Sequence, residues 1–336
     1  MVQSMNNFWQ KLPRPFFALA PLEDVTDAAF RRLIARYGKA PRADGSRGGP
    51  DVMFTEFTSA DGLVLASEEG KSKILKKLIS SEAEHPIVAQ LFSANPERME
   101  AAAHMVAALG FDGVDINMGC PDRAVEKGLC GSGMIKHPEL AKEIIRAAKR
   151  GAAGLPVSVK TRIGYAANEI ATWVPNLLEE GIAALTIHAR TRNEMSDVPA
   201  RWEHVHEAVE IRDRLGMDTL IIGNGDLKDL ADARSKVVQA GCDGAMLGRA
   251  IFGNPWLFTE YVPTPEERIA ALIEHIELFD ELLGGTVNFA TMKKHFKAYI
   301  HGWEGAKELR VRLMDAQGHL EARKILEEAL VVSFAA

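Results

Sequence analysis

A (β/α)₈ TIM barrel followed by a C-terminal all-α helical bundle is the fold this sequence predicts. Three observations lead there. Eight short apolar, β-rich runs recur at the spacing of a strand-helix unit. Each run turns polar only at its last residues, as strands covered on both faces do. After Pro255 the strand pattern stops, and only helical periodicity follows.

The runs in order are "FFALAP" (16–21), "DVMFTEF" (51–57), "PIVAQLF" (86–92), "GVDINMG" (113–119), "PVSVKTRIG" (156–164), "ALTIHART" (184–191), "TLIIGNGD" (219–226) and "GAMLGRA" (244–250). Helix punctuation separates them. In "NPERMEAAAHMVAALG", Asn95 is the N-cap, Pro96 the first helical residue and Gly110 the stop; "HPELAKEIIRAAKRG" has Pro138 and Gly151 in the same roles. Pro175 falls inside a helical pattern and predicts a kink or a late start. Residues 39–50, "KAPRADGSRGGP", form a basic, Gly-rich loop too polar to pack. A doubly wound sheet also alternates strands and helices, but the count of eight favours the barrel. The expected organisation is an N-terminal extension over 1–15, a barrel over 16–258 and a helical domain over 259–336.

Composition narrows the partners. A chain of 336 residues with net charge −6 has no global attraction for nucleic acid, so a polyanion must meet a local patch. Residues 293–312 supply one: six basic side chains (Lys293, Lys294, Lys297, Lys307, Arg310, Arg312) against Glu304 and Glu308 give 6 − 2 = +4. His295, Tyr299, His301 and Trp303 interleave with them as flat surfaces. The plain alternative is a solvated helix face with a few core aromatics. Three cysteines without a C-x-x-C pattern point to a reducing, cytoplasmic setting, and the N-terminus has neither a signal-peptide nor a membrane-span pattern. The histidines lack metal-ligand spacing, so no metal is expected.

In such a barrel the active face lies at the C-terminal strand ends. Gln90, Asn117, Lys160, Arg162, His188, Arg190, Asn224 and Arg249 gather there by position. The excess of cations calls for an anionic ligand. The loops after the last two strands, "GNGDL" (223–227) and "GRAIFGNP" (248–255), offer glycines and the Arg249 fork to a phosphate. Cys120 follows the fourth strand and points over the mouth. Residue type alone leaves it a proton donor or a nucleophile. Cys130, in a nearby loop of small residues, competes for the role, whereas Cys242 precedes the last strand and reads as structural.

Several stretches together resemble the tRNA-dihydrouridine synthase family: "APLEDVTDAAFRRL", "TEFTSADGL", "AQLFSANPE", "GVDINMGCPDRAVEKGLCGSGMIKHPEL", "PVSVKTRIG", "LTIHARTR", "IIGNGDL" and "GCDGAMLGRAIFGNPWLF". They run in the family's order over nearly the whole barrel, and "KKHFKAYIHGW" looks like part of the family's RNA-binding bundle. The resemblance implies an FMN enzyme, with NADPH (or NADH) as reductant, that passes hydride to carbon 6 of a tRNA uridine. Cys120 then protonates carbon 5. By motif position, Pro21, Leu22, Glu23, Gln90, Lys160, His188, Asn224, Gly225, Asp226, Gly248 and Arg249 bind the cofactor, and Asn117, Arg123 and Arg162 meet the substrate RNA. The partner implied is tRNA, bound by a monomer in the cytoplasm, with no membrane and no metal. Leu22 stands where the family usually has methionine, Cys130 puts a second thiol in the active-site loop, and the 39–50 insertion is expected to touch RNA phosphates. A small-molecule flavin oxidoreductase of the dihydroorotate dehydrogenase type is the alternative enzyme. An RNA-binding module without flavin is the third reading; a yellow protein excludes it.

Overall fold

A computed structural model describes residues 7–38 and 48–333. Most of the 39–50 loop, with its expected RNA contact, lies outside the described residues. The strands are β1 (Phe16–Leu19), β2 (Met53–Phe54), β3 (Thr58–Ser59), β4 (Ile87–Phe92), β5 (Gly113–Met118), β6 (Val157–Arg162), β7 (Ala184–His188), β8 (Leu220–Asn224) and β9 (Gly244–Leu247). All described pairings are parallel, in the order β1-β9-β8-β7-β6-β5-β4-β2. A parallel bridge between Ala18 and Val52 closes the ring, backed by Leu19 N–H to the Val52 carbonyl at 3.0 Å and Asp51 N–H to the Phe17 carbonyl at 2.7 Å. Nine strands therefore occupy eight barrel positions. The second predicted strand is split: β2 and β3 each pair with β4, and the chain leaves the sheet between them at Thr55 to Phe57.

The barrel interior is packed by side chains from alternate strand positions, as parallel strands inside a ring of helices require. Phe16, Ala18, Phe54, Val88, Ile222 and Met246 form that inner cluster. Trp9 belongs to it as well, fully buried and 5.8 Å centroid to centroid from Phe16, so the N-terminal segment plugs the barrel floor.

The surrounding helices are α1 (Ala28–Gly38), α2 (Ala60–Leu65), α3 (Glu68–Leu75), α4 (Pro96–Ala108), α5 (Arg123–Lys127), α6 (Pro138–Gly151), α7 (Ile170–Leu178), α8 (Glu203–Arg214) and α9 (Leu230–Ala240). Asn95 caps α4 by accepting from Arg98 N–H at 2.9 Å, with Pro96 at the first turn. Pro175 sits inside α7, which starts at Ile170, so it does not mark a late start.

Helices α10 (Pro265–Leu283), α11 (Lys293–Tyr299), α12 (Ala306–Asp315) and α13 (His319–Ser333) follow the barrel. Helix α10 packs on α1 and α13. Tyr37 Oη donates to Glu274 Oε2 at 2.9 Å, and Phe30 stacks on His275 with centroids 4.8 Å apart, so the bundle is locked to the barrel's first helix. His295 and Tyr299 are fully buried in this seam, which corrects the reading of both as exposed flat surfaces. Their spacing of four residues on α11 puts them on its inward face.

Candidate active site

Every site residue predicted from the sequence except Arg123 lines one cavity of about 830 Å³ at the C-terminal ends of the strands. Arg123 opens α5 beside it and is exposed. Phe57, Met195, Ser196 and Lys228 also line it, and sequence reasoning missed them. They lie on loops beyond the strands, where no periodicity marks which side chain turns inward. Met195 carries one signal that only the structure shows, a left-handed φ of 50°.

Cys120 is held by its backbone on both sides. Its N–H donates to Asn117 Oδ1 at 2.9 Å, and its carbonyl accepts from Ser132 N–H and Ser132 Oγ, both at 2.9 Å. The loop carrying Ser132 folds back closely enough that Gly131, at φ +57, would place a Cβ 2.5 Å from the Cys120 carbonyl oxygen. Arg192 and Glu126 pair across this loop, and Ser132 Oγ, also 2.9 Å from Glu126 Oε1, shares its single hydroxyl hydrogen between that carboxylate and the Cys120 carbonyl. Burial pushes the Cys120 thiol above its ordinary value, against a backbone hydrogen bond from Asp122 and the pull of Lys160 and Arg162. A half-buried thiol of this kind keeps its proton at neutral pH.

The competing thiol is set apart by its surroundings. Cys130 is buried, donates to the Gly128 carbonyl at 3.3 Å and is pushed up to about 11 by burial. Cys242 is likewise buried, beside the Gly244 carbonyl at 3.4 Å, as a structural residue should be.

Burial also acts on the bases. Lys160 is lowered to about 8 by burial and by neighbouring Arg162, and Arg162 is lowered to about 10. His188 falls well below 6.5 through burial and four nearby cations, Arg162, Lys160, Arg190 and Arg249. Its Nε2 lies 3.2 Å from Arg190 Nη1, an obligate donor, so Nε2 accepts and the ring proton sits on Nδ1. Arg162 is anchored by three carbonyls: Nε to Gly119 at 2.8 Å, and Nη1 to Thr191 at 2.9 Å and Met195 at 3.0 Å. Its Nη2 has no partner among the described residues. Asp226 accepts from Arg190 at 2.5 Å, Arg249 at 2.6 Å and Ala200 N–H at 2.8 Å. It thus organises the two arginines of the rim.

Asn117 does more than line the cavity. Its Oδ1 receives the N–H groups of Gly119 (3.1 Å) and Cys120, and its Nδ2 donates to Gln90 Oε1 at 3.0 Å. One amide hydrogen is left for a ligand.

On the rim, the carboxylates of Glu23, Asp24 and Glu56 approach one another within 4.8 Å. Lys77 pairs with Glu23, and Lys294 of α11 reaches Asp24 at 3.7 Å. Glu56 accepts from Asp24 N–H at 2.6 Å.

The donor set fits a phosphorylated flavin. Lys160, Arg162, Arg190, Lys228 and Arg249 line the cavity against two paired carboxylates, Asp226 and Glu23, so an anion completes the charge balance. The volume lies within the range of small-molecule and cofactor sites, about 300–1,000 Å³. Leu22, Phe57 and Met195 supply apolar walls.

A second cleft, of about 640 Å³, opens on the helical bundle between α11 and α12. Five of the six basic residues noted in the sequence line it: Lys293, Lys294, Lys297, Lys307 and Arg310, over a floor of Val311 and Met314. The sixth, Arg312, turns to Glu328 at 2.5 Å.

Comparison with known proteins gives four findings. The family model described as dihydrouridine synthase matches residues 18–335. A probable tRNA-dihydrouridine synthase of Staphylococcus aureus (strain Mu50) is 42% identical over 327 residues, 96% of this chain and 95% of the relative. A probable tRNA-dihydrouridine synthase 2 of Bacillus subtilis (strain 168) is 41% identical over 326 residues, 96% of each chain. Among solved structures, histamine dehydrogenase from Rhizobium sp. 4-9 is similar in fold, with a TM-score of 0.51 at 12% identity over 79% of this chain and 49% of that one.

Proposed function

The chain belongs to the dihydrouridine synthase family, and from that premise we propose that it reduces the carbon 5–carbon 6 double bond of uridines in tRNA. Bound in the mouth cavity and reduced by NADPH or NADH, FMN would supply hydride chemistry at carbon 6.

The other steps fall to the chain itself. Lys160, Gln90 and His188 would present polar atoms to the cofactor's ring system, and Pro21, Leu22 and Glu23, which line the same cavity, would flank it from the β1 loop. Arg249, with the loops at Asn224, Gly225, Asp226 and Gly248, would hold the phosphate. A uracil reaches this depth only after leaving its stack. The free Nη2 of Arg162 and the remaining Nδ2 hydrogen of Asn117 are the donors that meet it, and exposed Arg123 contacts the RNA that follows. Cys120 holds a proton at Sγ and delivers it to carbon 5. The cleft lined by Lys293, Lys297, Lys307 and Arg310 takes the phosphate backbone of the tRNA. In a small-molecule flavin oxidoreductase that cleft has no work.

One observation carries the reading: a half-buried thiol whose proton is retained, pinned over an electropositive cavity. The test uses tRNA from cells that lack the protein, treated with wild type or Cys120→Ala, with dihydrouridine measured by mass spectrometry. Loss of the acid lowers the rate by about 10²- to 10⁴-fold while the variant stays yellow. Full-rate formation by Cys120→Ala removes the thiol from the reaction, and a colourless wild type removes the flavin.

A further inference from the structure

Beneath Cys120 runs a buried polar relay whose inner members, Asp115 and Ser158, no step of the reaction uses. Ser158, Asp115 and Gln90 are direct partners in register across β6, β5 and β4. Ser158 Oγ donates to Asp115 Oδ1 at 2.6 Å, and Gln90 Nε2 donates to Asp115 Oδ2 at 2.7 Å. Gln90 Oε1 then accepts from Asn117 Nδ2, and Asn117 Oδ1 accepts from the Gly119 and Cys120 N–H groups. Asp115 and Gln90 are fully buried, and Ser158 is 2% exposed.

The two ends of this relay have fixed polarity. A carboxylate only accepts, and a backbone N–H only donates. Two primary amides in series connect such ends in one orientation: each turns its NH₂ toward Asp115 and its oxygen toward Cys120. Reversing either amide sets oxygen against oxygen, or NH₂ against N–H, at side chains that are almost wholly buried.

We propose that Asp115 is a positioning residue, which fixes the orientation of the Gln90 and Asn117 amides and thereby the turn that presents the Cys120 thiol. The consequence for catalysis rests on the reading of Cys120 as the acid, but the positioning itself does not. A misplacement of about 1 Å costs on the order of 10²-fold in rate.

The variants follow from hydrogen-bond polarity. Asp115→Ala leaves a cavity in which a water can donate as readily as accept, so the amides lose their direction. Asp115→Asn keeps direction, because its NH₂ can turn to Ser158, whose hydroxyl also accepts, leaving its oxygen for Gln90. Asp115→Asn combined with Ser158→Ala removes the group that selects that orientation.

The readouts are iodoacetamide alkylation of Cys120, followed by peptide mass spectrometry, and kcat and KM for tRNA. We expect Asp115→Ala to alkylate at Cys120 about fivefold faster, with kcat down about 10²-fold and KM within about threefold. Asp115→Asn should stay within about threefold of wild type in all three, and the double variant should lose at least about tenfold in kcat relative to it. A folded Asp115→Ala protein with unchanged Cys120 alkylation overturns the proposal. So does a double variant that matches Asp115→Asn in alkylation and kcat, a comparison open even if the alanine variant does not fold. Altered alkylation with unchanged kcat sustains the positioning role and instead removes Cys120 from the proposed reaction.

Discussion

Replacing Glu56 by glutamine should make the protein more stable, and by an amount that depends on pH. Glu56 is 4% exposed, and burial first, then the negative charges of Asp27 and Glu23, raise its carboxyl from 4.5 to about 7. A folded value above the unfolded one means that the native state holds the proton more tightly. Its contribution to stability is therefore full below 4.5 and is lost as pH rises through about 7. Relative to a permanently neutral group, ionisable Glu56 costs about 3 kcal/mol at pH ~8 and about 1 kcal/mol at pH ~5. Glutamine keeps the acceptor for Asp24 N–H, now at 2.6 Å, and carries no charge. Glu56→Gln should thus gain about 2–3 kcal/mol at pH ~8 and no more than about 1 kcal/mol at pH ~5, read from urea unfolding followed by tryptophan fluorescence. Asp27, raised to about 6, and Glu23, also raised, titrate in the same window and are coupled to Glu56, so part of the gain at pH ~8 is relief of their mutual repulsion. An equal gain at both pH values, or a loss at pH ~8, refutes buried charge as the cause.

Two other substitutions probe the cavity and the cleft. Gly225 has φ +126, and a Cβ there would lie 2.8 Å from Ala200 Cβ and 3.2 Å from His188 Cδ2. Gly225→Ala should cost about 2–3 kcal/mol and weaken flavin binding by displacing His188; unchanged unfolding and an unchanged flavin titration refute the close approach. Lys297→Ala with Lys307→Ala should reduce the salt dependence of tRNA affinity, lowering the slope of log K against log salt by about 1–2, and an unchanged slope places the RNA elsewhere.

The strands were legible because parallel strands buried on both faces are apolar runs, and their polar last residues marked the mouth. The break between β2 and β3 was not legible. "DVMFTEF" reads as one strand because nothing local shows that Glu56 will leave the sheet, or that Thr55 Oγ1 will take the Gln90 N–H at 3.1 Å in place of a ladder partner. The cations of α11 and α12 were legible as charge, but only packing separates Lys293 and Lys297 in the cleft from His295 and Tyr299 in the seam. Site residues on strands were found because register makes them neighbours, as with Gln90 beside Asp115. Phe57 and Met195 come from loops whose paths depend on contacts far along the chain, so their place at the cavity wall is a tertiary fact.

One physical cause runs through the mouth of the barrel. Burial favours the neutral form of every group, so it raises Cys120 and Asp115, the latter to about 6, and lowers Lys160, Arg162 and His188. The cations respond to a second influence, since an anion beside Lys160 and Arg162 restores the preference for their charged forms. The same anion weakens the cationic pull on the Cys120 proton, because Lys160 and Arg162 are charges that lower the thiol. Neutralising the rim and retaining the proton on Sγ are therefore coupled in the same direction. Negative charge seated beside Lys160 and Arg162 thus makes the cavity a better holder of the proton that Cys120 carries, which is the opposite of what a nucleophilic thiol beside the same cations would require.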